Sequence, residues 1–200
     1  MPITFPLSKP LILASNSPRR KQLLHDAGFH FDVQVIPTDE SFPATLPSHE
    51  VAAYIASVKA EQFTGTDFNN KLILTADTVV VVDHSILGKP ADQQEAFDMI
   101  KKLSGRRHEV ITAVSLLAEG KITSLSDVAT VTFRILKDWE IYHYIEHYKP
   151  FDKAGAYGIQ EWIGMVGIER IEGSFYTIMG LPVHKVYELL KPYMTDHSDD

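Results

Sequence analysis

The residues most suited to chemistry near the start of the chain lie in the segment LILASNSPRRKQLLHDAGF. Ser17, followed by a proline, is typical of a helix N-cap, so Arg19 and Arg20 fall in the first turn, where peptide dipoles already supply positive charge. The hydroxyls of Ser15 and Ser17, backbone N–H groups and two guanidiniums would converge on one small space, as a phosphate chain requires. Two solvated surface charges are the alternative. Because neither GxxxxGK[ST] nor GxGxxG occurs, the pattern predicts an anion site and nothing narrower.

Asp77 lies in the middle of the apolar segment LILTADTVVVVD. Its neighbours indicate a strand buried on both faces, and Asp is depleted from strand interiors. A carboxylate in such a place must be paired, hydrogen-bonded or bound to a metal ion. The alternative is a bulge or strand end at which Asp77 accepts backbone hydrogen bonds for structure alone. We favour a functional role, because ionisable groups in partly buried places are enriched at sites.

Two lysines matter only if the fold brings them to the arginines. Lys89 lies in LGKPAD, a turn before a predicted helix, and Lys59 flanks the apolar stripe of its own helix. Each lysine alone is typical of a solvated or snorkelling side chain. Glu40 in TDES is a candidate metal ligand on a loop, with a solvated carboxylate as the alternative. His108 in GRRHEVITAV has no HxH or HExxH partner, which favours a structural role.

The segment DKAGAYGIQ contains candidates for recognising a planar group. Gly155 and Gly158 indicate close backbone approach or positive φ. Tyr157 is suited to stacking on such a group and Gln160 to hydrogen-bonding with it. A plain loop is the equal alternative.

Apolar periodicity and turn residues predict the elements that must position these groups. The predicted strands are 11–14, 31–36, the segment KLILTADTVVVVD, 109–117 and 122–136, the last two joined as a hairpin at Glu119-Gly120. The predicted helices are 19–27, one capped by Ser48, one with a capping box at Asp92 and Glu95, one capped by Asp138, and a last one containing Val183, Val186, Tyr187 and Leu190. Because strands and helices alternate while long strands pair locally, we predict an α/β fold with a mixed central sheet flanked by helices.

The composition excludes several functional classes. The chain has 200 residues, 44% hydrophobic and 22% charged, which favours one domain. Its 19 basic and 26 acidic residues give a net charge of −7, which argues against a non-specific nucleic-acid or membrane-surface binder. There is no cysteine, so a disulfide framework and a thiolate metal site are excluded. No apolar run approaches about 18 residues and no signal-peptide layout is present, so we expect a soluble, untargeted protein.

Six segments in this order resemble the Maf family of nucleoside triphosphate pyrophosphatases over about residues 11–193. They are LILASNSPRR, TADTVVVVD, GKP, KLSGRRHEVITAV, DKAGAYGIQ and GSFYTIMGLP. The resemblance implies hydrolysis of a nucleoside triphosphate to the monophosphate and pyrophosphate, and a fold like that of the inosine triphosphate pyrophosphatases, with an active-site cleft. It also implies a cytoplasmic homodimer that uses a divalent metal ion, Mg²⁺ in the first place, with Mn²⁺ or Co²⁺ as alternatives. Residues 1–200 then form one domain, with an N-terminal extension at 1–10 and a disordered tail at 195–200.

The resemblance also implies roles for individual residues. Asp77 corresponds to the proton acceptor close to the metal ion, Lys59 and Lys89 to the catalytic lysines, and Glu40 to the acidic loop residue that binds metal. Ser15, Arg19 and Arg20 correspond to substrate-binding residues. The three positions that distinguish the family's subgroups hold Arg19, Thr78 and Gln160, the combination of the dTTP/UTP subgroup.

These residues together predict that the triphosphate lies along the first helix turn and that Asp77 orients or deprotonates a water attacking the α-phosphorus. Arg20 is expected to serve phosphate and Arg19 to lie nearer the base. Two alternatives stay open. One is a nucleotide-binding regulator of cell division or septum formation without essential turnover, and the other is a preference for modified pyrimidine nucleotides such as 5-methyl-UTP or pseudo-UTP.

Overall fold

The structure, a computed structural model, describes residues 4–195. The predicted tail, apart from Thr195, and the first three residues of the predicted extension lie outside this range. The strands are β1 (Leu11–Leu13), β2 (Asp32–Val33), β3 (Leu72–Val82), β4 (Ser85–Leu87), β5 (Arg107–Ala118), β6 (Lys121–Phe133) and β7 (Ile168–Glu172). The helices are α1 (Pro18–Asp26), α2 (Ser48–Glu61), α3 (Gln93–Leu103), α4 (Asp138–Tyr148), α5 (Trp162–Gly167), α6 (Phe175–Ile178) and α7 (Val183–Leu190), with short 3-10 turns at Thr66–Phe68, Ala154–Ala156 and Lys191–Tyr193.

The strands of the described chain form a mixed sheet in the order β2-β1-β3-β5-β6-β7, with β4 paired to β3. β1 runs parallel to both β2 and β3, whereas β4 and β7 run antiparallel to β3 and β6. Glu119 and Gly120, both at positive φ, form the tight turn between β5 and β6, as a two-residue hairpin requires. The predicted mixed sheet flanked by helices is therefore confirmed.

The chain divides into two compact units. Among the described residues, the first comprises 4–77, 112–127 and 180–195, and the second comprises 78–111 and 128–179. The long strands β3, β5 and β6 contribute residues to both units. The expectation of a single domain stays a prediction.

The first unit has a core between β1, β3 and the end of α2, built from Ile12, Ala60, Phe63, Ile73 and Leu117. Its N-terminal segment is tied down by backbone hydrogen bonds from Phe5 to Gly28 (2.9 Å) and from Ser8 to Tyr193 (2.8 Å). The described part of the predicted extension is therefore packed on the unit rather than separate from it.

The second unit has a larger core that joins α3 and α4 to the adjoining strands. Its largest fully buried side chains include Tyr144, Phe133, Ile100 and Leu103. The segment DKAGAYGIQ lies against this core, because Ala156, Tyr157 and Ile159 are all buried members of it.

Several local predictions need correction. β2 is a two-residue exposed strand at the sheet edge instead of the predicted 31–36. Ser48 and Asp138 are the first residues of α2 and α4 and not their N-caps, which are Pro47 and Lys137. Each predicted cap is therefore displaced by one residue, within the usual error of helix boundaries.

No helix within residues 4–195 is both long enough and apolar enough to cross a membrane.

Candidate active site

Lys59 lies between two carboxylates in the first unit. Its Nζ is 2.7 Å from Oδ1 of Asp77 and 2.9 Å from Oε1 of Glu40. The side chains of Lys59 and Asp77 are only 15% and 11% exposed, whereas that of Glu40 is 45% exposed. The structure therefore brings together three of the residues implied by the resemblance, in a cluster with two negative charges and one positive charge.

The local sequence explains how this cluster forms. Lys59 lies in the last turn of α2, on a helix whose buried face includes Val51, Ile55 and Ala56. Asp77 lies inside β3, in which ten of eleven residues are buried. It therefore occupies neither a strand end nor a surface, and the ammonium of Lys59 supplies the partner that a buried carboxylate requires. Removal of Lys59 would take this ammonium partner from a buried carboxylate, whereas removal of Asp77 would leave Lys59 paired with Glu40.

The start of α1 brings serine hydroxyls close to the backbone of the same loop. Ser17 is the N-cap, with its side chain accepting a hydrogen bond from the backbone N–H of Arg20 at 3.4 Å. The Oγ of Ser15, a buried residue, accepts from the backbone N–H of Ser17 at 3.2 Å. The predicted capping of this helix is confirmed, and Gly28 follows it at positive φ, as predicted for its end.

Arg20 uses its guanidinium differently from a simple phosphate ligand. Its Nε donates to the carbonyl oxygen of Gly180 and its Nη1 to that of Ala76, both at 2.8 Å, and Nη1 is also 3.5 Å from Ser15 Oγ. The pKa of Arg20 is lowered, and burial is the largest cause. The positive charge of Arg19 lowers it further, whereas the negative charges of Asp77 and Glu40 oppose the shift. Sequence reasoning did not identify the Ala76 and Gly180 carbonyls, because no side chain marks a backbone acceptor.

Glu40 and Asp77 offer carboxylate oxygens, the donors that Mg²⁺ prefers. Within residues 4–195 no group of three or more His, Cys, Asp or Glu side chains is arranged to hold a metal ion. Mg²⁺ commonly binds one or two carboxylates and completes its coordination with water and substrate phosphates. The donor set therefore fits a Mg²⁺ ion that enters together with a phosphate ligand.

The other three implied residues belong to the second unit. Thr78 follows Asp77 on β3 and is partly buried, Lys89 is exposed in the turn between β4 and α3, and Gln160 is exposed just before α5. The first unit thus holds Ser15, Arg19, Arg20, Glu40, Lys59 and Asp77, and the second holds Thr78, Lys89 and Gln160.

A buried polar network next to Gln160 was not predicted. The Tyr144 hydroxyl donates to the carboxylate of Glu161 and accepts from the backbone N–H of Gly158 at 2.9 Å, while Lys153 Nζ is 3.1 Å from Glu161 Oε1. Burial, followed by the hydrogen bond to Glu161, raises the pKa of Tyr144. The network fixes the backbone on both sides of Gln160.

Tyr157 and His108 have structural surroundings. Tyr157, a stacking candidate by sequence, is buried, and its hydroxyl lies 2.8 Å from Nε2 of His108. His108 also stacks on Phe133, with ring centroids 5.5 Å apart. Burial lowers the pKa of His108 to about 4. The preference for a structural His108 agrees with this packing, whereas the stacking role considered for Tyr157 is wrong because its ring is enclosed in the core.

Comparisons with known proteins show the family to which the chain belongs. The family described as "Maf-like protein" matches residues 10–193. A dTTP/UTP pyrophosphatase of Phocaeicola vulgatus is 49% identical over 182 residues, which cover 90% of this chain and 94% of the relative. One of Parabacteroides distasonis is 47% identical over 184 residues, 92% of this chain and 95% of the relative. One of Flavobacterium johnsoniae is 45% identical over 180 residues, 90% and 93% of the two chains.

Two solved structures are more distant. The Ham1 protein of Staphylococcus aureus superposes with a TM-score of 0.44 at 14% identity, covering 62% of this chain and 72% of that one. The HAM1 protein of Coxiella burnetii gives a TM-score of 0.43 at 18% identity, covering 62% and 73%.

Proposed function

Because the chain belongs to the Maf family, we propose that it hydrolyses dTTP and UTP to the nucleoside monophosphate and pyrophosphate. The observation that carries this proposal is the buried Asp77 paired with Lys59 and joined to Glu40 through the same ammonium. The relatives named dTTP/UTP pyrophosphatase, 45% to 49% identical over about nine-tenths of the chain, support the substrate class.

Cationic side chains of this chain neutralise the triphosphate. Lys59 already contacts two carboxylates, so it can transfer one of its hydrogen bonds to a phosphate oxygen while keeping Asp77 as a partner. Arg19, in the first turn of α1, and the hydroxyl of Ser15 add donors at the positive end of that helix. Lys89 supplies a further cation. Fixed charges of this kind stabilise the developing negative charge of the transition state.

Asp77 acts on the attacking water. In this mechanism its carboxylate accepts a hydrogen bond from a water positioned in line with the α-phosphorus, and it takes the proton as the P–O bond forms. Pyrophosphate leaves with the electrons of the α,β bridge. Lys59 holds Asp77 in its orientation through their 2.7 Å contact.

Glu40 and Asp77 would hold Mg²⁺, with Mn²⁺ or Co²⁺ as alternatives. The ion would supply charge neutralisation on the phosphate oxygens. Metal ligation and proton acceptance would compete for the carboxylate of Asp77.

Base selection is assigned to Arg19, Thr78 and Gln160. The Gln160 side chain offers one donor and one acceptor group, which suits the imide edge of uracil or thymine. This edge is unchanged in 5-methyl-UTP, so modified pyrimidine nucleotides remain within the proposed substrate class.

The test is a panel of triphosphates incubated with the protein and Mg²⁺, followed by quantification of pyrophosphate and monophosphate. We expect release from dTTP and UTP, with dATP and GTP as much poorer substrates. In water enriched in ¹⁸O, the label should enter the monophosphate and not pyrophosphate, because the attack is at the α-phosphorus. Binding of dTTP or UTP without release, under Mg²⁺, Mn²⁺ and Co²⁺, would contradict the proposal and favour the nucleotide-binding regulator.

The proposal extends to a homodimer in the cytoplasm, as implied by the family resemblance. Sedimentation equilibrium would test whether the protein is a homodimer, and cell fractionation would test whether it lies in the cytoplasm.

A further inference from the structure

We propose that Arg20 is a positioning residue that fixes the strand segment carrying Asp77, instead of a ligand of the substrate phosphates. Only the kinetic consequence of this inference rests on the proposed function. The structural part rests on the hydrogen bonds of Arg20 to the backbone carbonyls of Ala76 and Gly180.

The pairing of β1 with β3 shows why Ala76 needs a partner. The two strands are parallel and in register from Leu11 opposite Leu72 to Leu13 opposite Leu74. One further hydrogen bond runs from the N–H of Ala14 to the carbonyl of Leu74, at 2.8 Å. β1 then ends, while β3 continues.

The next carbonyl of β3 on the same edge is that of Ala76, because successive residues of a strand present their backbone groups to alternate sides. Ala76 is 1% exposed, so an unpaired carbonyl there would cost free energy. The Nη1 of Arg20 donates to this oxygen at 2.8 Å. A side chain from α1 thus continues the ladder that the backbone of β1 no longer supplies.

The same guanidinium holds a third segment. Nε donates to the carbonyl of Gly180, a residue at positive φ that lies three residues before α7. Arg20 therefore joins α1, β3 and the segment before α7 at the residue that precedes Asp77. The planar, fixed arrangement of N–H donors in arginine suits this task, whereas the single ammonium of lysine does not reproduce it.

Backbone acceptors accompany this cation in the first turn of a helix. The carbonyl oxygens of Ala76 and Gly180 accept hydrogen bonds from Arg20, although burial, the largest influence, lowers its pKa. The protein itself thus supplies partners for the guanidinium that the sequence did not predict.

The experiment compares Arg20→Lys and Arg20→Gln with the wild type and with Lys21→Gln, a control that removes a cation from the next position of α1. The affinity for the α,β-imido analogue of UTP is measured by calorimetry, and kcat is measured with UTP. We expect both Arg20 variants to bind the analogue with nearly wild-type affinity and to lose about a hundredfold in kcat, the loss typical of a misplaced catalytic group. Lys21→Gln should match the wild type in both quantities.

A loss of analogue affinity with kcat retained at saturation would overturn the inference, and so would unchanged kinetics in Arg20→Gln. Hydrogen exchange distinguishes a failure of this inference from a failure of the proposed function. The peptide containing Ala76 and Asp77 should exchange faster in Arg20→Gln than in Lys21→Gln, even if the wild type releases no pyrophosphate. Equal protection in the two variants would show that Arg20 does not hold this strand segment.

Discussion

The shared position of Lys59 between Glu40 and Asp77 has a consequence for metal binding. Its ammonium lies within 3 Å of an oxygen of each carboxylate, at 2.7 and 2.9 Å, so it competes with any cation for the same oxygens. At distances near 4 Å, two unit charges at a protein surface interact by about 4 kcal/mol. Nucleotide phosphates that attract Lys59 would therefore also make the two carboxylates better metal ligands.

Replacing Lys59 by Met is expected to strengthen binding of Mn²⁺ to the nucleotide-free protein by about tenfold or more, because the competing charge is gone. Electron paramagnetic resonance of free Mn²⁺ measures this affinity without turnover. The matched control is Lys59→Met combined with Glu40→Gln, which should lose the gain. Unchanged or weaker Mn²⁺ binding in the single variant would show that Lys59 does not compete for these ligands.

His108 makes stability depend on pH. Its side chain is enclosed by Phe133 and Tyr157, and burial lowers its pKa from 6.5 to about 4. Between these values the unfolded chain binds more protons than the folded one, so the free energy of unfolding falls as pH decreases from about 6.5 to about 4. The loss between pH 7 and pH 4.5 is about 2 kcal/mol from this residue.

Urea unfolding at pH 7 and pH 4.5 measures the free energy of unfolding that the protein loses in acid. This acid loss should be about 2 kcal/mol smaller in the double variant His108→Phe/Tyr157→Phe than in Tyr157→Phe alone. The Tyr157→Phe background ensures that no buried hydroxyl loses its partner. Identical pH dependence with and without His108 would contradict burial of its neutral form.

At the scale of elements, the sequence predicted those whose pattern is local. β3, α3, the β5–β6 hairpin and α7 follow from apolar runs, a capping residue and a turn glycine, and the structure contains all four. The predictions that failed concern elements that depend on tertiary contacts. β2 pairs for only two residues because it lies at the sheet edge, and α5, β7 and α6 in the glycine-rich third were not predicted.

The same division holds for the site. Asp77 could be identified because a carboxylate in a buried apolar strand is unusual, and its ion pair with Lys59 follows from that burial. The acceptors of Arg20 could not be found because they are backbone carbonyls that no side chain marks, and the Tyr144–Glu161–Lys153 network could not be found because it depends on tertiary packing.

Gly164 limits what the segment around Gln160 tolerates. A Cβ at Gly164 would lie 2.6 Å from the carbonyl carbon of Ile159 and closer still to its oxygen, so the backbone must shift. Gly164→Ala is expected to lower the free energy of unfolding by about 2 to 4 kcal/mol. Gly88→Ala is the control, because a Cβ there meets nothing within 4 Å. Chemical denaturation measures both, and equal stability of the two variants would contradict this packing.

At the scale of the whole molecule, the chain carries a net charge of −7 yet is proposed to act on a polyanion. Its affinity for a triphosphate must therefore come from the local cations of the site and not from the overall field. The two compact units divide the residues implied by the resemblance, with Glu40, Lys59 and Asp77 in the first and Thr78, Lys89 and Gln160 in the second.

The most direct test of this account is the turnover of UTP by the wild type and by Asp77→Asn, each also titrated with the α,β-imido analogue. The wild type should release pyrophosphate, and Asp77→Asn should lose about a hundredfold to ten-thousandfold in kcat, the range of a general base, while still binding the analogue. Wild-type turnover in Asp77→Asn would contradict the central claim that this buried carboxylate activates the attacking water.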